Sequence, residues 1–106
     1  MSKELLFSII FKNLNHDITF ALNESTASVK KTGELLERFL NVIDEMTKSD
    51  EGISEGDVFQ ALSLTNSIRI SISNFDNKKL LDFTHKTSIE GIRNFSNAKK
   101  TLIGNS

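Results

Sequence analysis

Few side chains in this 106-residue sequence could perform metal or nucleophilic chemistry. The chain has no Cys, which excludes disulfides, thiolate nucleophiles, iron–sulfur clusters and zinc knuckles. Its two histidines are His16 and His85, and the residues four positions further on are Phe20 and Ile89. Neither His therefore has a second ligand at helical spacing. We expect neither to bind a metal or to act in catalysis.

The carboxylates and glycines also lack a catalytic or ligand-binding arrangement. The segment 50–52 (Asp-Glu-Gly) lacks the spaced carboxylates and bidentate Glu of a calcium loop. Asp44 and Glu45 are adjacent, so on a helix they point in different directions. The five glycines are scattered, and none opens a phosphate-binding loop. The sequence predicts a protein that is not an enzyme and that has no cofactor.

The elements that position these side chains are predicted to be helices. Pro, the commonest helix breaker, is absent from the chain. From residue 3 to 47 the apolar residues follow helical spacing, with the weakest stretch and a candidate break at 23–33. The spacing is carried by Phe7, Phe11, Leu14, Ile18, Leu22, Val29, Leu36, Phe39, Ile43 and Met46.

An acidic turn at 48–56 separates this segment from a second helical segment at 57–102. Ser54 followed by Asp57 is typical of a helix N-terminal capping box, which predicts a helix starting near Glu55. A weaker interruption at 73–77 would make Asp76 a cap. We therefore predict a single domain over 1–106 of the all-α class, either a long helical hairpin or a three- to four-helix bundle.

One stretch conflicts with this prediction. Residues 68–73 (Ile-Arg-Ile-Ser-Ile-Ser) alternate apolar and polar, which is the period of a β-strand. The sequence offers no convincing partner strand, so we favour helix. On a helix Ile70 lies away from the face of Ile68 and Ile72, and apolar side chains then point in more than one direction. Such exposed apolar residues are typical of a surface that binds a partner.

Membrane insertion and nucleic-acid binding are not expected. The apolar run at 5–11 is too short to span a bilayer and lacks a cleavage site, which predicts a cytoplasmic location or export without a cleaved signal. The formal net charge is −1, and Arg, the preferred base reader, occurs only at 38, 69 and 93. A basic excess at 78–106 keeps a nucleic-acid-binding regulator as a less favoured alternative.

The apolar residues of the predicted helices divide into two groups. One group is the predicted core, and the other is the predicted partner-binding surface. The core candidates outside that surface are Ile18, Phe39, Ile43, Val58, Leu62 and Leu80. The candidate partner-binding residues are Phe7, Phe11, Ile68, Ile70, Ile72, Phe83, Ile92 and Phe95.

The C-terminal half resembles the inner-rod subunits of type III secretion systems and, more distantly, flagellar rod-adapter proteins. The similar residues lie in 57–72, 80–86 and 89–92, with Leu80-Leu81 and Ile89-Glu90-Gly91-Ile92 among them. The chain departs from that pattern in having no Pro in the loop and about ten residues after Phe95. The resemblance implies a non-enzymatic subunit that packs around a secretion channel.

The predicted function is non-enzymatic, either protein–protein interaction or a role as an assembly subunit, in which the chain binds a protein partner, itself or both. The alternative is a small helical binder of another protein, such as a chaperone, an immunity factor or a phage-encoded inhibitor.

Overall fold

A computed structural model describes residues 3–49 and 51–104, which form a three-stranded antiparallel sheet and three helices. The prediction of an all-α hairpin or helix bundle is therefore wrong, and the fold is α+β. In chain order the elements are β1 (Lys3–Phe11), β2 (Leu14–Leu22), α1 (Val29–Thr47), α2 (Glu55–Ile72), α3 (Asn77–Ser96) and β3 (Lys99–Leu102).

Residues 3–22, predicted to be helical, form a β-hairpin. Lys12 and Asn13 connect the strands with φ values of 51° and 64°, the positive pair required by a type I′ two-residue turn. The pairing runs from Phe11 opposite Leu14 to Lys3 opposite Leu22. Ile and Phe in β1 favour the extended state, and the tight turn brings the two strands into register.

The last strand, β3, replaces the helical C-terminus expected from the sequence. It pairs antiparallel with β2, placing Leu102 opposite Leu14 and Lys99 opposite Asp17. The strand order is β1-β2-β3, so β2 is central and β1 and β3 are the two edges.

One compact unit comprises residues 1–33 and 85–106, described over 3–33 and 85–104. Its core lies on one face of the sheet, where Leu5, His16 and Ile18 are buried. Helical residues cover this face: Gly33 lies against the Leu5 side chain, and Gly91 against the Phe20 ring. A side chain at either glycine position would come close to the sheet.

The second compact unit comprises residues 34–84. Ser54 and Asp57 form the predicted capping box, and α2 begins at Glu55, so both predictions are confirmed. The Asp76 carboxylate accepts a hydrogen bond from the Lys79 backbone N–H at 3.0 Å, which confirms it as a cap. Residues 68–72 are helical, as we favoured.

No helix within 3–49 and 51–104 is long and apolar enough to cross a membrane.

Candidate protein-interaction surfaces

The apolar residues of helix α2 are spread over about two thirds of its circumference at 100° per residue, and its few charged residues lie among them. A helix that is apolar on most sides is normally buried. Its charged residues are Glu55, Asp57 and Arg69. Val58 is nevertheless its one buried side chain in the described chain. We define the α2 surface as its exposed large apolar residues: Phe59, Leu62, Leu64, Ile68 and Ile72.

The exposure of the α2 surface is large. Apart from Leu62 at 39%, its side chains are 61–65% exposed. The polar side of the same helix is an uncharged row of Gln60, Ser63, Ser67 and Ser71. Water therefore contacts an apolar surface that has few charges to keep it soluble.

Helix α1 has two apolar rows rather than one. Leu36, Leu40 and Ile43 are half-buried and lie on one face. A second row, offset by about a quarter turn, is 47–59% exposed. This α1 row consists of Leu35, Phe39, Val42 and Met46. Its spacing of four, three and four residues is that of a coiled-coil seam.

The predicted partner-binding residues fall in both compact units. Phe7, Phe11, Ile92 and Phe95 belong to the unit that contains the sheet, and Ile68, Ile70, Ile72 and Phe83 belong to the other. Phe7 and Ile70 are half-buried, whereas the other six are exposed. The structure brings Phe11 and Phe95 together around the His16 ring.

His16 is a buried polar side chain in an aromatic cluster. Its ring stacks on Phe95 with centroids 5.2 Å apart and lies 6.0 Å from the Phe11 centroid. The side chain is 4% exposed, and neither ring nitrogen has a hydrogen-bond partner among the described residues. A buried imidazole that has no hydrogen-bond partner among the described residues is expected to lower the stability of this core.

The opposite face of the sheet carries a polar group centred on Asp17. Its Oδ1 accepts hydrogen bonds from Ser8 Oγ at 2.6 Å and from Asn15 Nδ2 at 2.9 Å. The Ser8 hydroxyl, followed by the Asn15 amide, lowers the pKa of Asp17 below its ordinary value, and the nearby Lys99 charge acts in the same direction. Asp17 is therefore held in its ionised form.

Across 3–49 and 51–104 no three His, Cys, Asp or Glu side chains come together as a metal site would require. His85 lies exposed on α3. Asp50, the first residue of the segment compared with a calcium loop, lies outside the described residues.

The sequence analysis missed much of the exposed apolar surface. Phe59 and Leu64 are exposed on α2 but are not among the predicted partner-binding residues. Phe39, which belongs to the α1 row, was predicted to be a core residue. The sequence feature that indicates the α2 surface is the low charge of this helix, which has three charged residues in 18.

Comparison with protein-family models, with curated proteins and with solved structures found no match.

Proposed function

We propose that this protein is a non-enzymatic assembly subunit that associates with other protein chains through the α2 surface and the α1 row. The observation that supports it best is that α2, which has apolar residues on most of its sides, buries one side chain, Val58, in the described chain. A helix of this composition is stable in water when another protein surface covers it.

The free energy gained by burying the α2 surface and the α1 row is comparable to the cost of association. Burying a fully exposed apolar side chain contributes about 1.5–3 kcal/mol. The α2 surface exposes the equivalent of about three such side chains, which corresponds to about 4–9 kcal/mol on burial. The α1 row adds the equivalent of about two, or about 3–6 kcal/mol. Association itself costs about 4–15 kcal/mol, and burial of both surfaces supplies about 7–15 kcal/mol, a gain of the same size.

The first partner to test is a second copy of the chain, because both surfaces are present in every copy. A different protein is the alternative partner, and a subunit of a secretion apparatus would be one form of such an assembly. The resemblance to inner-rod subunits stays a prediction.

The test compares two double variants of α2 by sedimentation velocity at several concentrations. Leu64→Lys/Ile68→Lys places two charges in the α2 surface. Ser63→Lys/Ser67→Lys places two charges at the same spacing on the polar side of the helix. We expect the first to weaken association at least about thirtyfold, because it removes about 2–4 kcal/mol of apolar burial. The second should associate like the wild type.

Circular dichroism should show the same helicity in both variants, which separates lost association from lost folding. A wild-type chain that is monomeric at every concentration would contradict self-association. A stoichiometric complex with a host protein, lost in Leu64→Lys/Ile68→Lys, would then support the alternative partner. Equal association of the two variants would contradict a role for the α2 surface.

A further inference from the structure

The two edges of the sheet differ in how they are protected against pairing. Strand β3 is four residues long and begins with Lys99 and Lys100. Short edges and lysines are devices that prevent edge-to-edge pairing. Strand β1 is nine residues long, and its segment 5–11 (Leu-Leu-Phe-Ser-Ile-Ile-Phe) has no charge, no Pro and no bulge in its register with β2. The β1 edge has none of these protections along that segment.

The hydrogen-bond pattern shows which backbone groups are free on β1. The two-residue turn makes Phe11 and Leu14 a hydrogen-bonded pair, and the pattern alternates from there. Two contacts agree with this alternation. Ile103 N–H donates to the carbonyl of the turn residue Asn13 at 3.2 Å, and Ala21 N–H of β2 donates to Asn94 Oδ1 at 3.1 Å. Odd residues of β2 thus face away from β1.

The backbone groups of Glu4, Leu6, Ser8 and Ile10 therefore point to the free edge of β1. Within the described ranges no other backbone group donates to them or accepts from them. The side chains of Leu6 and Ile10, on the outer face of the sheet, are 75% and 67% exposed.

The β1 sequence is complementary to itself in one orientation. Around Ser8 it reads as three apolar residues on each side, flanked by Glu4 and Lys12. An antiparallel copy centred on Ser8 places Leu5, Leu6 and Phe7 opposite Phe11, Ile10 and Ile9 of the other copy. It also brings each Glu4 toward the Lys12 of the other copy, an opposite-charge pair that occurs twice.

Other arrangements lose this match. A shift of two residues places Leu6 opposite Ser8 and Glu4 opposite Ile10. A parallel arrangement in register places Glu4 beside Glu4 and Lys12 beside Lys12, and like charges across strands are unfavourable.

From these observations we propose that two copies of the chain pair through β1, antiparallel and centred on Ser8, to form a continuous six-stranded sheet. The pair obeys a two-fold axis, as most homodimers do. Three residue pairs, Leu6 with Ile10, Ser8 with Ser8 and Ile10 with Leu6, each exchange two backbone hydrogen bonds. This interface is separate from the α2 surface, and either can fail without the other.

A single-cysteine experiment tests the geometry, because the chain has no native Cys. In a hydrogen-bonded antiparallel pair the two Ser8 Cα atoms lie about 5.5 Å apart, within reach of a disulfide. Ser8→Cys should form a disulfide-linked dimer in oxidised glutathione. Thr19→Cys, exposed on the same face of β2, is the control, because two copies of β2 are about 14 Å apart in the paired sheet.

Charge variants test the orientation. Leu6→Lys/Ile10→Lys places lysine opposite lysine and should raise the dimer dissociation constant at least tenfold. Leu6→Glu/Ile10→Lys places the introduced glutamate opposite the introduced lysine of the other copy and should keep the dimer. Both substitute exposed side chains, so circular dichroism should show an unchanged fold.

All four variants are also made in the Leu64→Lys/Ile68→Lys background, where association through α2 is weakened at least about thirtyfold. Cross-linking of Ser8→Cys in both backgrounds supports the β1 pair whatever the outcome at α2. The proposal is overturned if Ser8→Cys cross-links no faster than Thr19→Cys. It is also overturned if Leu6→Glu/Ile10→Lys dissociates as readily as Leu6→Lys/Ile10→Lys.

Discussion

Replacing His16 by Phe should stabilise the protein. His16 is 4% exposed, and both ring nitrogens lack hydrogen-bond partners among the described residues. The substitution removes these polar atoms and keeps a flat ring that can stack on Phe95. His16 is the one buried polar side chain in the described core, so the change addresses a single defect.

The expected gain follows from two opposing effects. Leaving a buried polar group unsatisfied costs about 1–3 kcal/mol, which the Phe side chain avoids. Phe adds one heavy atom, and overpacking costs about 1 kcal/mol at the low end of its range. The low end applies because no described side chain around His16 is completely buried, which leaves room to adjust. The net expected gain is about 1 kcal/mol, the middle of a range of about 0–2 kcal/mol.

Urea denaturation followed by circular dichroism measures this gain. With an m-value of about 1–1.5 kcal/mol/M, the midpoint should rise by about 1 M. Protein concentration must be equal in all samples, because association stabilises the folded state. The control is His85→Phe, which replaces an exposed His on α3 and should leave the midpoint unchanged.

A lower midpoint for His16→Phe with an unchanged m-value would refute this reasoning. It would mean that the imidazole nitrogens make hydrogen bonds in the native protein, with water or with another chain.

Three further predictions follow from local geometry, and each is measured by denaturation. Gly91→Ala should stabilise α3 by about 1 kcal/mol because the added Cβ has ordinary contact distances, whereas Gly33→Ala should gain less or lose stability because its Cβ would lie 2.8 Å from the buried Leu5 side chain. Equal gains from the two would contradict the close approach at Gly33. Ser54→Ala should destabilise α2 by about 1 kcal/mol through loss of the capping box, and no change would mean that the cap is not formed in solution. Asp17 has a lowered pKa in the folded chain, so its ionised form contributes stability above the ordinary Asp pKa of about 3.9, and that contribution is lost as the pH falls through the lowered pKa. The stability difference between wild type and Asp17→Asn should therefore be largest near neutral pH and shrink in acid, and a difference independent of pH would contradict this origin.

The capping residues in the sequence predicted the starts of two helices correctly. Ser54 and Asp57 predicted the start of α2, and Asp76 predicted the start of α3, because caps depend on side chains within one helical turn. Residues 68–72 are helical as expected, but the reason for that expectation, the lack of a partner strand, was wrong, because the chain forms three strands and β1 has a free edge.

The hairpin was missed for a geometric reason. Phe7, Phe11, Leu14, Ile18 and Leu22 all lie on the inner face of the sheet, because the two-residue turn shifts the alternation between β1 and β2. The same five residues also follow the spacing of a helix, so apolar periodicity alone could not separate the two structures.

The polar residues of the hairpin carried the better signal. Asn15, Asp17 and Thr19 alternate with the inward-facing residues Leu14, His16, Ile18 and Phe20 of β2, which is the period of a strand. Strand β3 had no such signal, because four residues become a strand only through pairing with β2, more than 80 residues earlier in the chain.

The division of apolar residues between core and surface could not be predicted from the sequence. Val58 and Leu64 are both large apolar residues on α2, yet one is buried and the other is 63% exposed. Periodicity identifies apolar faces, but tertiary packing decides which of them the chain covers itself.

The molar mass of the wild-type protein across micromolar to millimolar concentration, measured by sedimentation equilibrium, tests self-association most directly. The proposed self-association predicts a mass that rises with concentration above the 11.9 kDa of one chain. A mass of 11.9 kDa throughout the range would contradict it.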